Sequence, residues 1–455
     1  MHIVLKTALT AFAAGATLLA IGDSQAGTPD RRITEQRSVG AFSAIELSGP
    51  YDVTIDAQGR SGLRLSGERE QLDGVEVFVR GDTLVVRPLE RRSFQFGFSQ
   101  RRQAVTIDIG TPQLERLAMS GSGDVTLAQV NGERVALQVD GPGDLQVSGA
   151  VRELALRVSG SGDTDLQRLR AGKVELAMSG PGDVWLANVD HDLQASLTGS
   201  GDLDADGLRL ARLDARVTGP GGLRLRGSSL EVRAELTGSG DFDACDLAAG
   251  RVSIQQRGPG DACVGGAITH LDAAVSGSGD FTARGLRAQA AALRLDGPGD
   301  VTLGGTVADL KAELTGSGDL DGSALAAGKA AIKSRGPGDV ALARVSDVLE
   351  AELRDSGGLK AEIDGKRLVL TSSGPGGADI GGRVDLVRVR LNGSGALDGT
   401  RLTAGRADIA VHGPGAARVH VLRDANHHGD RDAAAKDAPA RLLVVQRSGS
   451  TTTAE

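Results

Sequence analysis

The chain has 455 residues, of which 24% are charged, and a formal net charge of -8. No basic stretch is long enough to follow a phosphate backbone, so the composition argues against a nucleic-acid partner. Aromatic residues make up only 2% of the chain, so a core must consist mainly of Val, Leu, Ile and Ala side chains.

Residues 1–26 carry the features of a secretory signal peptide. Lys6 supplies a positive charge, residues 7–21 are apolar or small, and Ala26 ends a small-residue cleavage site. After residue 26, no apolar run reaches the roughly 18 residues that span a bilayer. The sequence therefore predicts an exported protein without a transmembrane helix after signal removal, located in the periplasm, at the cell surface or outside the cell.

Residues 27–118 do not repeat, but they contain short runs in which apolar and polar residues alternate. This period of two indicates strands. We expect the region to form a β cap, because a stack of strands exposes edges and core at an open end. The alternating runs are residues 41–47, 52–55, 74–79, 83–86 and 104–109.

A short segment of this cap region combines aromatic and basic side chains. Phe94, Phe96 and Phe98 would share one face of a strand, and two arginine pairs flank them. The Phe side chains either fill the core of the cap or form a binding patch with a basic rim. Such a patch would bind a glycan, an acidic membrane surface or another protein. The four basic residues are Arg91, Arg92, Arg101 and Arg102.

From residue 121 onward, a four-residue phrase, Gly-Ser-Gly-Asp or Gly-Pro-Gly-Asp, recurs at a nearly constant interval. A fixed period of roughly 20 residues is the signature of a stacked repeat protein. We call the segment from one phrase to the next a rung, and number its positions from the first residue of the phrase as 0. Residues 119–422 are thus predicted to form a β-solenoid of about sixteen rungs. The phrases begin at residues 121, 141, 160, 180, 199, 219, 238, 258, 277, 297, 316, 336, 355, 374, 393 and 413.

Two alternating runs in each rung indicate two short strands. Positions +4 and +6 are mostly apolar, as in Val125 and Leu127, and a second alternating run, such as residues 135–139, precedes the next phrase. One turn is the phrase, and the other is expected near residues 131–132 or 171–172. The phrase is predicted to be a type II turn, with Pro at position +1 and a positive φ at the second glycine.

Near the end of the chain, the repeat loses its pattern. The last four phrases have Gly or Ala in place of the final Asp. Residues 423–455 are predicted to be a polar and mostly disordered tail. Within this tail, residues 442–445 are apolar and are expected to add one capping strand.

Two segments resemble the bacterial putative auto-transporter adhesin head domain family, also called the GIN domain family. Residues 39–55 read Val-Gly-Ala-Phe-Ser-Ala-Ile-Glu-Leu and, after three residues, Tyr-Asp-Val-Thr-Ile. Residues 114–125 run from Leu-Glu-Arg-Leu into Ser-Gly-Ser-Gly-Asp-Val. The resemblance covers residues 39–200 closely, and the repeats extend it to about 420. It implies an all-β, right-handed β-helix of an exported protein with an adhesive role, and it carries no catalytic residues.

The phrase holds Asp at position +3 in eleven of sixteen rungs. Stacked carboxylates about 5 Å apart repel one another, so something must offset the repulsion. Backbone N–H groups of the turns are the favoured partners. The alternative is calcium, which binds Gly-rich β-roll repeats, but both the period and the Gly-x-Gly-Asp spacing differ from those repeats.

Outward carboxylates at position +5 form a sparse stripe, Asp165, Asp204 and Asp243, on alternate rungs. Polysaccharide-cleaving β-helices use outward carboxylates, but this spacing of roughly 10 Å is too wide for a retaining pair and marginal for an inverting pair. A solvated face is the favoured interpretation.

The two cysteines, Cys245 and Cys263, fall in adjacent rungs, offset by two positions. For straight strands, this offset puts their β-carbons about 8 Å apart, too far for a disulfide, so two unpaired thiols are expected. His427 and His428 lie beside several Asp residues, but a polar tail is favoured over a metal site.

We therefore interpret the sequence as an exported, non-enzymatic binding protein of the cell surface or envelope, without cofactor or metal. Its expected partners are a glycan, an envelope surface or another protein. Two alternatives stay open: a structural or self-associating β-rod, and a polysaccharide-active β-helix enzyme.

Overall fold

A computed structural model describes residues 32–89, 105–422 and 440–446, and the backbone of residues 451–453. In these ranges 28 strands belong to one hydrogen-bonded sheet, and a helix, α1, spans Arg69–Leu72. The strands before the first phrase are β1 Ile33–Arg37, β2 Ala44–Leu47, β3 Tyr51–Asp56, β4 Gly62–Gly67, β5 Val75–Arg80, β6 Thr83–Pro88, β7 Val105–Gly110 and β8 Arg116–Met119.

The strands that follow the phrases stack in chain order. They are β9 Val125–Val139, β10 Leu145–Val158, β11 Thr164–Met178, β12 Val184–Ala187, β13 Val189–Leu197, β14 Leu203–Val217, β15 Leu223–Leu236, β16 Phe242–Gln256, β17 Ala262–Gly265, β18 His270–Val275, β19 Phe281–Leu295, β20 Val301–Leu314, β21 Leu320–Ser334, β22 Val340–Leu353, β23 Leu359–Ser372, β24 Ala378–Leu391, β25 Leu397–Val411 and β26 Ala416–Val421. The last two strands are β27 Arg441–Gln446 and β28 Thr451–Thr453.

The predicted β-solenoid is confirmed, with about 15 stacked turns. Each rung pairs in parallel with the next, so that Leu145 lies beside Val125 on one side and Thr164 on the other. The predicted inward positions are also confirmed: Val125 and Leu127 at +4 and +6, and Val139 before the next phrase, are at most 2% exposed. One aliphatic core therefore runs through the whole stack.

The rung differs from the predicted pair of strands, because most rungs form one long strand, such as β9 or β10, that bends near position +8. The predicted turn near residues 131–132 or 171–172 is wrong. Asn131 and Gly132 have turn-forming side chains, but they stay in β9 because they pair with Ala150 and Val151 of β10.

At the bend itself, nine rungs have a positive φ at position +8. After the bend, a further set of side chains points inward between the two predicted sets, as Leu208 and Leu210 do in β14. The nine residues are Gln129, Gly149, Asn188, Gly207, Gly227, Gly266, Gly285, Gly305 and Gly382.

The type II turn predicted for the phrase is also wrong, since glycines such as Gly143 do not have a positive φ. A Cβ at Gly143 would lie 2.1 Å from the carbonyl oxygen of Gly123 in the preceding rung, and one at Gly162 would lie 2.1 Å from that of Gly143. The glycines at 0 and +2 are thus explained by the close approach of stacked backbones, not by a left-handed conformation. One phrase differs, since Asp355 occupies position 0.

Position +1 accepts Pro because, among the described residues, no N–H at this position donates to a backbone carbonyl of a neighbouring rung. The N–H at +2 donates to the carbonyl at position 0 of the preceding rung, as from Gly143 to Gly121 at 3.3 Å and from Gly162 to Gly141 at 3.4 Å. The side chain at +1 points to solvent, as Ser122 and Pro142 do. Ser and Pro can therefore alternate at position +1 without changing the backbone hydrogen bonds between rungs.

In the N-terminal cap, the strands do not stack in the order of the sequence. Along one side, β2 lies between β6 and β8, and along another side β3 lies between β7 and β9. The rung of β2 and β3 is therefore held between a later rung, β6 and β7, and the first phrase rung. Outside these, β4 covers β7 and β5 covers β6, both antiparallel, so the cap ends the run of parallel pairing.

At the other end, antiparallel pairing also ends the parallel stack. Strand β27 pairs with β26, with Val445 beside Ala417, and β28 pairs with β27. Strand β27 includes residues 442–445 and therefore confirms the predicted capping strand.

The prediction of two free thiols is wrong, because a disulfide joins Cys245 and Cys263, whose Cα atoms are 5.1 Å apart. The expected offset assumed straight strands. In the structure, the Asp243 carboxylate accepts the Cys245 N–H at 3.2 Å, and the register between β16 and β17 breaks after Ala244. The bend at this corner brings Cys245 within disulfide distance of the next rung.

In the described part of the chain, no helix has the length and hydropathy needed to cross a membrane. Residues 1–26 lie outside the described ranges, so the signal peptide stays a prediction, as do the domain boundaries at 26, 118 and 422.

Candidate binding surface

The aspartates at position +3 form a ladder along one edge of the solenoid, which is interrupted at Gly222. Each of the eleven carboxylates accepts the backbone N–H at position +3 of the following rung, at 2.7–3.1 Å. This confirms the prediction that backbone N–H groups of the turns are the hydrogen-bond partners of these carboxylates. The donor lies one rung away, so the contact ties neighbouring rungs together.

The calcium alternative gains no support from the geometry. Within the described residues, no three His, Cys, Asp or Glu side chains lie in an arrangement that would hold a metal ion. His427 and His428 lie outside those residues, and their assignment to the tail stays a prediction.

The outward stripe at position +5 has structural roles. Asp165 and Asp243 each accept the N–H two residues further along the chain, at 2.9 and 3.2 Å, just before the bend. Asp204 lies 3.1 Å from Arg226, and its negative charge raises the pKa of that guanidinium. These carboxylates orient the bend and pair with arginines, which is consistent with the favoured solvated face.

Between the rungs that begin at 180 and 238, the outer face has an open groove of about 400 Å³. Trp185 lines it at position +5, and the ladder carboxylates Asp202 and Asp241 border it on either side of Gly222. Gly222 is the one residue that interrupts the run of aspartates between Asp124 and Asp339. Sequence reasoning did not single out this groove, although two signals were visible: the sole tryptophan at an outward position, and the interruption two rungs away.

Charges in the groove are unevenly paired. Arg224 lies 3.5 Å from Asp243 and 3.9 Å from Asp204. Asp202 and Asp241 use Oδ1 to accept the N–H of the next rung, and their Oδ2 atoms have no hydrogen-bond or ion-pair partner among the described residues. The groove is therefore a negatively charged surface with one indole ring.

The patch predicted from the sequence lies in residues 90–104, outside the described ranges, and it stays a prediction. Its residues are Phe94, Phe96, Phe98, Arg91, Arg92, Arg101 and Arg102. The flanking strands are described: Val86 pairs with Leu47, and Val105 pairs with Tyr51. Val86 and Val105 thus lie beside the two residues that flank positions 48–50 in the neighbouring rung.

Three solved structures illustrate the comparison with known folds. A putative adhesin from Bacteroides fragilis NCTC 9343 is 24% identical, covers 47% of this chain and 96% of its own, and gives a TM-score of 0.41. A putative lipid-binding protein from Parabacteroides distasonis ATCC 8503 is 17% identical, with coverage of 64% and 97% and a TM-score of 0.33. A putative adhesin from Parabacteroides merdae ATCC 43184 is 14% identical, with coverage of 64% and 96% and a TM-score of 0.29.

No curated protein sequence matches the chain. The family described as putative auto-transporter adhesin, head GIN domain, matches it four times, over residues 41–203, 186–285, 266–358 and 343–428. Together these matches cover residues 41–428, which include most of the cap and all the rungs, and the chain belongs to this family.

Proposed function

We propose that the protein is an exported, non-enzymatic surface-binding protein of adhesin type, in which the outer faces of the solenoid contact the partner. The observation that carries this proposal is the difference in composition between the inward and the outward positions of the rungs. Inward positions are mostly aliphatic, with exceptions such as Phe242 and Thr164, whereas outward positions change in chemical type from rung to rung. Position +5, for example, holds Trp185, Asp204 and Arg224 in three successive rungs. Packing does not constrain the outward residues, so they are free to serve recognition.

The family membership supports an adhesin-like role. The described residues also supply an extended surface without a group of three metal-ligating side chains. A repeat stack of this kind presents many weak contacts along one face, a geometry that suits a polymeric or surface partner.

The test has two parts. Fractionation and protease treatment of intact cells should show the mature chain outside the cytoplasm and cleavable from outside. The purified chain, added back to cells that lack it, should bind them saturably. A chain confined to the cytoplasm, or one that binds no cell or envelope fraction, would contradict the proposal.

A self-associating rod is the second candidate, because one edge of the stack is open among the described residues. Strand β25 pairs with β26 only at residues 397–399 and 403–404, and residues 406–411 have strand partners in β24 alone. An open parallel edge can accept another copy of the chain. Analytical ultracentrifugation separates the candidates, since a rod would show concentration-dependent association without any added partner. Release of reducing sugars from envelope polysaccharides would instead indicate an enzyme.

A further inference from the structure

The open groove on the outer face has the composition of a small recognition site. We infer that it binds a saccharide that carries protonated amino groups, such as a hexosamine unit of a glycan. This inference rests on the proposed binding function and names the ligand class for one place on the solenoid.

The apolar component is Trp185, the one tryptophan of the chain. It lies at an outward position, half-buried, between Asp165 and Asp204 in the lateral row of neighbouring rungs. The core therefore does not need this indole. Its aromatic surface can pack against the C–H face of a pyranose ring or attract an ammonium group.

The space in the groove comes from Gly222, and packing does not demand glycine there. A Cβ at Gly222 would meet its nearest neighbour, Oδ1 of Asp202, at 3.5 Å, an ordinary contact. At the adjacent Gly221, by contrast, a Cβ would lie 2.1 Å from the carbonyl oxygen of Gly201. An Asp would fit at 222, as in the rungs on either side, so the missing side chain opens the ladder at this one place between residues 124 and 339.

The charges select the kind of sugar. Asp202 and Asp241 flank the gap, and Asp183 lies one rung further along; each holds the next rung through Oδ1 and has an Oδ2 atom without a partner among the described residues. Arg224 is shared between Asp204 and Asp243. An acidic or sulfated sugar would be repelled, whereas an amine would form charge-assisted hydrogen bonds.

The dimensions agree with a short oligosaccharide. Asp202 and Asp241 are two rungs apart, roughly 10 Å at strand spacing, which is comparable to the length of two linked pyranose rings. The groove volume of about 400 Å³ lies within the range of small-ligand sites.

The experiment uses the intact mature chain and two matched probes: short oligomers of β-1,4-linked glucosamine and the same oligomers N-acetylated. Calorimetry measures affinity, and the fluorescence of Trp185 reports on the groove, because the chain has no other tryptophan. We expect the amine form to bind and change the fluorescence, to weaken with salt, and to bind roughly tenfold more tightly than the acetylated form.

Variants locate the binding. The double change Asp202→Asn with Asp241→Asn keeps the Oδ1 acceptors of the ladder and removes the charges, so it should fold normally and weaken binding roughly tenfold or more. Gly222→Asp should refill the gap, and Trp185→Thr should remove the ring; both should also weaken binding. The matched control, Asp280→Asn with Asp319→Asn, alters two ladder positions at the same spacing and should bind like the wild type.

Three results would overturn the inference: no binding of the amine oligomer, equal affinity for the acetylated form, or equal weakening by the control pair. Binding of the chain to whole cells distinguishes a failure of this inference from a failure of the proposed function. If the Trp185→Thr and Gly222→Asp variants still bind cells like the wild type, the groove is not the contact and the proposed function stands. If the wild type binds no cells, the proposed function fails.

Discussion

Each rung turns at two kinds of corner, the phrase and the bend at position +8, and both use glycine for different physical reasons. At the phrase, a side chain would collide with the backbone of the preceding rung, as Gly143 against Gly123 at 2.1 Å shows. At the bend, the backbone itself is left-handed, as at Gly207, where φ is +64°. A repeated glycine in this chain therefore has one of two explanations: a close approach between the backbones of two rungs, or a left-handed backbone conformation within one rung.

The two corners also differ in what they tolerate. The phrase is nearly invariant, because every rung stacks on the one before at the same spacing. The bend accepts residues other than glycine, since Gln129 and Asn188 occupy it with φ of 59° and 57°. It also absorbs the small difference in length between neighbouring rungs, because the register shifts near it. The bend at position +8 thus accommodates differences in rung length, while the phrase keeps the same length in every rung.

The largest effect is expected from a methyl group at the phrase. Gly201→Ala would place Cβ 2.1 Å from the carbonyl oxygen of Gly182, so two rungs must separate locally. We expect a loss of about 4 kcal/mol or more in the free energy of unfolding, measured by urea denaturation. Ser200→Ala, an exposed change in the same phrase, is the control and should change little. A loss below about 1 kcal/mol for Gly201→Ala would contradict the close-approach explanation.

An intermediate effect is expected at the bend. Gly207→Ala meets no atom closer than 3.4 Å but must keep a left-handed φ, which costs about 1–2 kcal/mol. Gly207→Asn should cost less, because Asn188 already adopts this conformation at the same position. The same denaturation measurement applies. If Gly207→Ala matched the loss of Gly201→Ala, the distinction between the corners would fail.

A smaller effect is expected from the ladder. Asp163→Ala removes the acceptor that lies 3.0 Å from the Asp183 N–H and should cost about 1 kcal/mol. Asp163→Asn keeps Oδ1 and should cost less than about 0.5 kcal/mol. Equal losses for the two variants would show that charge, rather than the hydrogen bond, decides stability at this edge.

The smallest effect concerns pH. Hydrogen bonds from the Thr400 hydroxyl and N–H lower the pKa of Asp398, and those from Ser323 lower the pKa of Asp321. With the folded-state pKa below the unfolded value, this stabilisation is present above about pH 3.9 and is lost as pH falls through the folded pKa.

The double variant Asp398→Asn with Asp321→Asn should therefore lose less stability on acidification than the wild type does. Asp364→Asn, an exposed carboxylate without a hydrogen bond among the described residues, is the control. Identical acid sensitivity of the double variant and the wild type would contradict this assignment.

Much of the fold was predictable, because every rung buries its side chains against its neighbours in the same way and so shows the same alternation of apolar and polar residues. Inward residues such as Val125 and Leu127 followed from alternation, and the strand at 441–446 followed from its apolar run. The position of the bend did not follow, because Asn131 and Gly132 carry turn signals that pairing with β10 overrides. The disulfide was missed for a related reason, since strand geometry alone does not reveal a bend.

The candidate groove lay beyond sequence reasoning because its parts come from four successive rungs. Trp185, Gly222 and Asp241 are far apart in the chain, and only stacking brings them to one surface. The missing aspartate at 222 was visible as an interruption, but its meaning depended on knowing that a side chain would fit there.

By itself, the amino-acid sequence determined the period, the identity of the inward side chains and the all-β stack, because these depend on local alternation and on a spacing that repeats. The tertiary structure alone decided why the phrase needs glycine, where the rung bends, how the cap threads its first rungs out of order and which outward residues become neighbours. These properties depend on contacts between rungs, whose distances are set by the stacked backbone and are not encoded in any one rung.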